Sequence, residues 1–367
     1  MPPNLIVSTC GASVLTNKRA DDERRLLNRY ANARTRDDVA RQSPDEAARL
    51  DAIIADVSQR MTKATPDEAK RQSAELNGLL TFYGSGTIPA GDAHVLLCTD
   101  TWLGEVAADI VCNWLKQQGG TAWVERQRDL QTENLESFQI ALAELVQWCE
   151  ETLLEWRHKG YYVVFNLTGG FKSVQGFMQT LASFYADETV YIFESGSSLL
   201  RIPRLPVRMD ATDAIKSNLS VFRRLANKLP VAQVSGIPET LLMKVEQEYA
   251  LSPWGELVWS QSRCALYAGG LHPPPSDRIR FSLRFKQSTD RLSPERYCIL
   301  NERIDDLAVY LEQNINRKRL DFKPLRGDPR PPSTHERDAW ADQDARRLFG
   351  HFEGKTFVLD ALDKGLH

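Results

Sequence analysis

Apolar positions along the chain fall into two alternating rhythms. Short unbroken runs occur at 4–9 (NLIVST), 93–99 around His94-Val95-Leu96-Leu97-Cys98, 121–124, 161–165 (YYVVF) and 189–194. Runs of this length read as strands buried on both faces. Between them, residues 101–118, 134–159 and 174–185 space their apolar residues as helices do, and Gly119-Gly120 closes the first. Strands alternating with helices of this length predict a mostly parallel sheet covered on both sides. That is an α/β, doubly wound, Rossmann-like domain spanning residues 1–208. Residues 199–202 and 206–208 are expected to finish it as an edge hairpin.

Residues 18–80 break the alternation. They are rich in Arg, Asp, Glu, Ala and Gln, and Ser43-Pro44-Asp45-Glu46 and Thr65-Pro66-Asp67-Glu68 each carry an N-cap, a proline and first-turn acids. Three helices are expected here, forming an insertion whose charge runs are solvated faces. Residues 209–276 read as a helical connector, with helices at 214–229, 238–249 and 253–267. Gly269-Gly270-Leu271-His272-Pro273-Pro274-Pro275-Ser276 reads as a linker, because three prolines cannot sit inside a helix or central strand. Residues 277–367 then read as a small α+β domain: a strand at 279–285, a helix from Ser293 to about Asn314, and a hairpin formed by 345–352 and 356–362 around Glu353-Gly354.

Composition narrows the class. At 367 residues, with 42% hydrophobic and 26% charged residues, the chain is globular and long enough for more than one domain. No apolar run approaches the roughly 20 residues that span a bilayer, and MPPNLIVSTCGAS lacks a basic region and a long apolar core. Six scattered cysteines form neither CxxC nor a Cys/His cluster, so a reducing cytoplasm and no metal are expected. Net charge is −3, but from Arg278 onward 18 Lys/Arg face 15 Asp/Glu. A mildly basic tail on an acidic body suits a nucleic-acid-facing C-terminus.

Two turns carry candidate chemistry. The first strand ends in Cys10-Gly11-Ala12-Ser13. The strand at 161–165 ends in Asn166-Leu167-Thr168-Gly169-Gly170, followed by Lys172 and Ser173 at a helix start. Glycines let bare backbone approach a ligand, free N–H groups favour an anion, and Lys172 adds a point charge. In open α/β sheets, ligands sit outside the carboxyl ends of strands, where both turns belong. No GxGxxG follows the first strand and no P-loop is present, which argues against a dinucleotide dehydrogenase. Residues 211–271 could read DNA, although no basic recognition helix stands out. In the tail, His335, His351 and His367 lie among cations including Arg317, Lys318, Arg319, Lys323, Arg326, Arg330, Arg346, Arg347 and Lys364. RNA cleavage by 2′-OH attack needs a proton acceptor, a proton donor and fixed positive charge, and no metal.

The pair of turns STCGAS and NLTGGFKS resembles the CARF family, CRISPR-associated sensors of cyclic oligoadenylate, over residues 1–208. The resemblance implies a homodimer whose ligand lies on Thr9, Gly11, Ser13, Asn166, Thr168, Gly169, Gly170 and Lys172. Some members also cut their ligand, which would engage Ser13 and Lys172. From Ile279 the chain resembles RelE-type toxins, ribosome-dependent mRNA interferases. Arg347 before Leu348-Phe349 and Lys364 after the last strand match that family's basic positions. Where two lysines are common in that family, this chain has Asp338 and Trp340, so His335 or His367 is expected to replace them. Lys323, Arg326 and Arg346 complete the candidate catalytic set. Together the two halves look like a CRISPR-associated mRNA interferase of type III systems. That resemblance implies no cofactor, activation by cyclic tetra-adenylate, and cleavage of mRNA on the ribosome. A ligand-responsive transcriptional regulator and a stand-alone ring nuclease are the alternatives.

Overall fold

A computed structural model describes residues 2–84, 86–131, 134–170, 172–192, 198–207, 209–318, 320–326 and 331–365, with only the backbone of residues 172 and 173. Of the residues singled out above, Glu194, Arg208, Arg319, Arg330 and His367 lie outside the described residues, as does the Lys172 side chain. The chain divides into two compact units, Met1–Arg208 and Met209–His367. Among the described residues no helix is long and apolar enough to cross a membrane.

In the first unit, β1 (Asn4–Thr9) leads into α1 (Ser13–Thr16), α2 (Asp21–Arg29), α3 (Arg36–Gln42), α4 (Pro44–Thr62), α5 (Pro66–Gln72) and α6 (Ala74–Tyr83). Then follow β2 (Ala93–Cys98), α7 (Trp102–Gln117), β3 (Thr121–Arg126), α8 (Leu135–Trp148), α9 (Leu154–His158), β4 (Tyr162–Asn166), α10 (Lys172–Tyr185), β5 (Glu188–Ile192) and β6 (Leu199–Pro203). The sheet order is β3-β2-β1-β4-β5-β6. Every neighbouring pair is parallel except β5 with β6. This is a mixed α/β unit with a parallel sheet, compatible with a Rossmann-like fold.

The expected three helices at 18–80 are five. Ser43 and Thr65 cap α4 and α5 as the sequence suggests, accepting from the Glu46 and Glu68 amides, but Thr35 and Ser73 cap two more helices in the same way. The expected 199–202/206–208 hairpin is also corrected. Residues 199–203 pair with β5 instead, and Pro203 and Pro206 have no N–H with which to extend a ladder outward. The long helix at 134–159 is interrupted by a π turn, Cys149–Leu153.

The second unit begins with α11 (Thr212–Ser217) and α12 (Leu219–Ala226). A 3₁₀ turn and the strands β7 (Leu242–Val245) and β8 (Glu248–Leu251) follow, then α13 (Pro253–Tyr267). After the triproline stretch come β9 (Ile279–Phe281), α14 (Leu283–Ser288), α15 (Pro294–Gln313), β10 (Lys323–Pro324), β11 (His335–Trp340), β12 (Arg346–Glu353) and β13 (Thr356–Lys364). The sheet order is β10-β11-β12-β13-β9, antiparallel except for β9 beside β13. α15 buries Leu300, Ile304, Leu307 and Ala308 in one core with Leu348, Phe357 and Leu359 of the sheet. The strand expected at 279–285 stops at Phe281, because the Ser282 hydroxyl accepts from the Phe285 amide and starts α14.

The helix expected at 238–249 is a hairpin. Its two-residue turn places Glu246 at φ 47° and Gln247 at φ 76°, a geometry normally signalled by Asn-Gly. Side chains in the left-handed region cost about 1–2 kcal/mol each. The double substitution Glu246→Asn, Gln247→Gly is therefore expected to stabilise this unit by about 1 kcal/mol in urea denaturation.

Candidate functional site

β1 and β4 are adjacent, yet the chain leaves β1 toward β2 and β3 before crossing back to β4. Their carboxyl ends therefore flank the point where the winding direction reverses, the crevice where such sheets bind ligands. The two turns expected to meet do so. The Thr9 hydroxyl donates to the Gly169 carbonyl at 2.6 Å. A Cβ on Gly11 would stand 3.2 Å from the Gly170 backbone, and one on Gly170 (φ +101°) would stand 2.8 Å from the Thr9 Cβ. Glycine at both positions is what allows the turns to touch. Asn166 is fully buried and donates to the Ser8 hydroxyl at 3.1 Å and the Glu75 carbonyl at 2.9 Å. Its Oδ1 accepts from the Thr168 amide at 3.4 Å, while the buried Thr168 hydroxyl has no partner. Lys172 opens α10 directly after this turn. A shallow cleft lies alongside, lined by Thr9, Cys10, Cys98, Thr99, Gly170 and Val174 among others. Burial, and then the Glu75 charge, push the Cys10 thiol well above its ordinary value.

Sequence reasoning missed one residue of this site, Glu75, the second residue of α6. Only 1% exposed, its carboxylate accepts from the Gly11 amide (2.9 Å), the Ser13 hydroxyl (2.7 Å) and the Ser73 hydroxyl (2.6 Å). This charge is not on a solvated helix face, contrary to expectation. The Ser13 hydroxyl also accepts from the Ala74 amide at 3.0 Å. α6 is held closer still by Gly78, where a Cβ would fall 2.3 Å from both Asn166 Oδ1 and Thr168 Oγ1. Gly78→Ala is thus expected to destabilise the first unit by about 1–3 kcal/mol through overpacking, read as a lowered denaturation midpoint.

In the second unit, Arg347 bonds Glu336 (2.7 Å) and lies 3.2 Å from Asp338, and the Glu336 bond holds its guanidinium above the ordinary value. Glu336 is buried and its second oxygen lacks a partner. Lys323 is paired across the sheet with Glu336, and its ammonium rests on Asp321. His335, next to Glu336, points to the opposite face, because successive strand residues alternate. There its ring stacks on Phe322 (5.2 Å between centroids, 9° apart) and meets the Phe352 and Phe357 edges; burial lowers its pKa. Arg346 bonds Asp344 and lies across from Lys364, with both on the face away from Arg347. Arg326 is exposed. His351 bonds Asp360 at 2.8 Å, which raises its pKa. The sheet therefore joins Arg347 to carboxylates and separates it from His335. No group of three or more His, Cys, Asp or Glu among the described residues could hold a metal ion.

No curated protein matches the chain. Residues 70–205 match the model of a family described as CRISPR-associated protein (Cas_APE2256). The matched region takes in α6, Glu75 and the whole β4 turn, and the β1 turn precedes it. The match supports a CRISPR-associated protein.

Proposed function

We propose that the chain is a cyclic-oligoadenylate-activated, ribosome-dependent endoribonuclease of type III CRISPR defence. The Met1–Arg208 unit acts as the sensor of a homodimer, and the Met209–His367 unit cuts mRNA. The observation that carries the reading is the convergence of the Gly11 amide and the Ser13 hydroxyl on one anion, at the meeting of the two turns. A phosphodiester presents the same two oxygens sharing one charge that the Glu75 carboxylate presents there. The family match to a CRISPR-associated protein supports the same class. Cyclic tetra-adenylate is the proposed activator, with Thr9, Gly11, Ser13, Asn166, Thr168, Gly169, Gly170 and Lys172 facing its phosphates and riboses. Ser13 and Lys172 also position a ligand 2′-OH for slow self-limiting cleavage.

For mRNA, a 2′-OH attacks the adjacent phosphorus, its proton passes to a base, and the 5′-oxygen leaves with a proton from an acid. Arg347 stabilises the crowded phosphate charge. On its face the proton acceptor is a carboxylate of Glu336 or Asp338, since His335 points the other way. A ligand activates only through different affinities for two states of the assembly.

Lys172→Ala is expected to weaken cyclic tetra-adenylate binding roughly ten- to hundredfold, the worth of one charge-assisted contact. Arg347→Ala should bind the ligand normally and cut nothing. Calorimetry and a cleavage assay on the full chain check both. If both variants bind and cut like wild type, the assignment fails.

A further inference from the structure

The anion cradle already holds an anion of the chain itself, the Glu75 carboxylate. Glu75 is buried, and among the described residues no cation is ion-paired to it. Its charge is stabilised instead by three donors, two of which, the Gly11 amide and the Ser13 hydroxyl, belong to the proposed phosphate cradle. Its carbonyl accepts from Asn166, another cradle residue. Gly169 touches it so closely that a Cβ there would stand 2.2 Å from Oε1. Three residues further along, Gly78 packs on Asn166 and Thr168. Five of the eight residues proposed for the ligand thus hold α6.

We propose that Glu75 is an internal stand-in for a ligand phosphate, so that a phosphodiester entering the cradle must expel the carboxylate and undock the start of α6. The inference rests on the reading of this site as a phosphodiester site. The same donors cannot serve two anions at once, and two negative charges a few ångströms apart in a buried cradle repel strongly. The capping of the helix start runs through the same residues. Its capping hydroxyl, Ser73, bonds Glu75 itself, and Ser13 both caps Ala74 and belongs to the cradle. Expelling the carboxylate therefore frees the Gly11 amide and Ser13 hydroxyl for phosphate and releases the first turn of α6 in the same event. Ligand occupancy becomes a conformational change through a competitor of like chemistry, which gives the ligand the differential affinity that switching requires.

The test uses the full chain, cyclic tetra-adenylate as probe, and hydrogen exchange read by mass spectrometry. In wild type, ligand should speed exchange of the amides at 74–83, and Glu75→Gln, which keeps the shape and removes the charge, should bind about tenfold tighter, equivalent to removing about 1.4 kcal/mol of competition. Binding with exchange at 74–83 unchanged or slowed, or Glu75→Gln binding no tighter, overturns the inference and leaves the sensor reading intact. If Glu75→Gln does not fold, exchange in wild type decides alone. Absence of binding by wild type and variant alike overturns the sensor reading, and this inference with it.

Discussion

Arg223→Ala is expected to destabilise the Met209–His367 unit by about 3–5 kcal/mol, the usual cost of stripping one partner from a buried ion pair. Arg223 lies on α12 and is 1% exposed. Its guanidinium bonds Asp305 of α15 (2.7 Å) and the carbonyls of Pro273 (2.5 Å) and Asn301 (3.3 Å), and it stacks over Tyr267 of α13. Tyr267 donates its hydroxyl to the same carboxylate, and the Asn301 side chain bonds the Gly270 carbonyl and the His272 amide. One residue therefore ties two connector helices and the glycine-proline stretch to the helix that packs on the C-terminal sheet. Without Arg223, Asp305 is a buried charge with a single donor. Burial already holds its pKa above the ordinary carboxylate value, and losing the cation raises it further. A carboxyl with a raised folded-state pKa binds a proton more readily in the folded than the unfolded protein. The deficit of the variant should therefore shrink as pH falls from 7 to 5 in urea denaturation. Arg223→Met combined with Asp305→Leu should recover most of the loss, because no charge is then buried. A variant within 1 kcal/mol of wild type at pH 7 would mean that the network carries little of the unit's stability.

The second large effect is acid sensitivity of the first unit through His94, the second residue of β2. The ring is buried, its Nδ1 has no partner, and its Nε2 lies 3.5 Å from the Tyr83 hydroxyl, which itself donates to Asp92. Protonation would bury an N–H with no acceptor. Burial accordingly lowers the pKa to about 4, with the Asp92 charge pulling weakly the other way. An unfolded histidine titrates near 6.5, so between about pH 6.5 and 4 the unfolded chain binds the extra proton and stability falls with decreasing pH. The shift corresponds to about 3 kcal/mol across that window. His94→Gln should flatten this part of the pH profile whatever its own stability at neutral pH. The check is the denaturation midpoint of the full chain at half-unit pH steps, and an unchanged slope in His94→Gln would refute the assignment.

The parts of the fold legible in sequence are those whose signal is local. Unbroken apolar runs gave β1, β2 and β4, and the two glycine turns sit where the βα alternation put them. The parts that were not legible depend on partners far away in the chain. AELNGLLTFY reads as a helix with a surface glutamate, and nothing within it tells that Glu75 meets an amide 64 residues upstream. The hairpin at 242–251 was hidden because its turn forces Glu246 and Gln247, not Asn and Gly, into positive φ. β11 reads His-Glu-Arg-Asp-Ala-Trp, a polar string, yet Glu336 and Arg337 are both buried. Burial lowers the Arg337 pKa to about 9, with Asp306 of α15 opposing the shift. With buried charge on both faces of that strand, the separation of His335 from Arg347 could not be read from spacing.

The proposed coupling of ligand recognition in one unit to RNA cleavage in the other is tested most directly by mRNA integrity. The 367-residue chain is incubated with ribosomes and a defined mRNA, with and without cyclic tetra-adenylate, beside Lys172→Ala and Arg347→Ala. The account predicts discrete mRNA cleavage by wild type only when ligand and ribosomes are both present, and none by Arg347→Ala. Intact mRNA in the presence of wild type, ribosomes and each cyclic oligoadenylate in turn would contradict it.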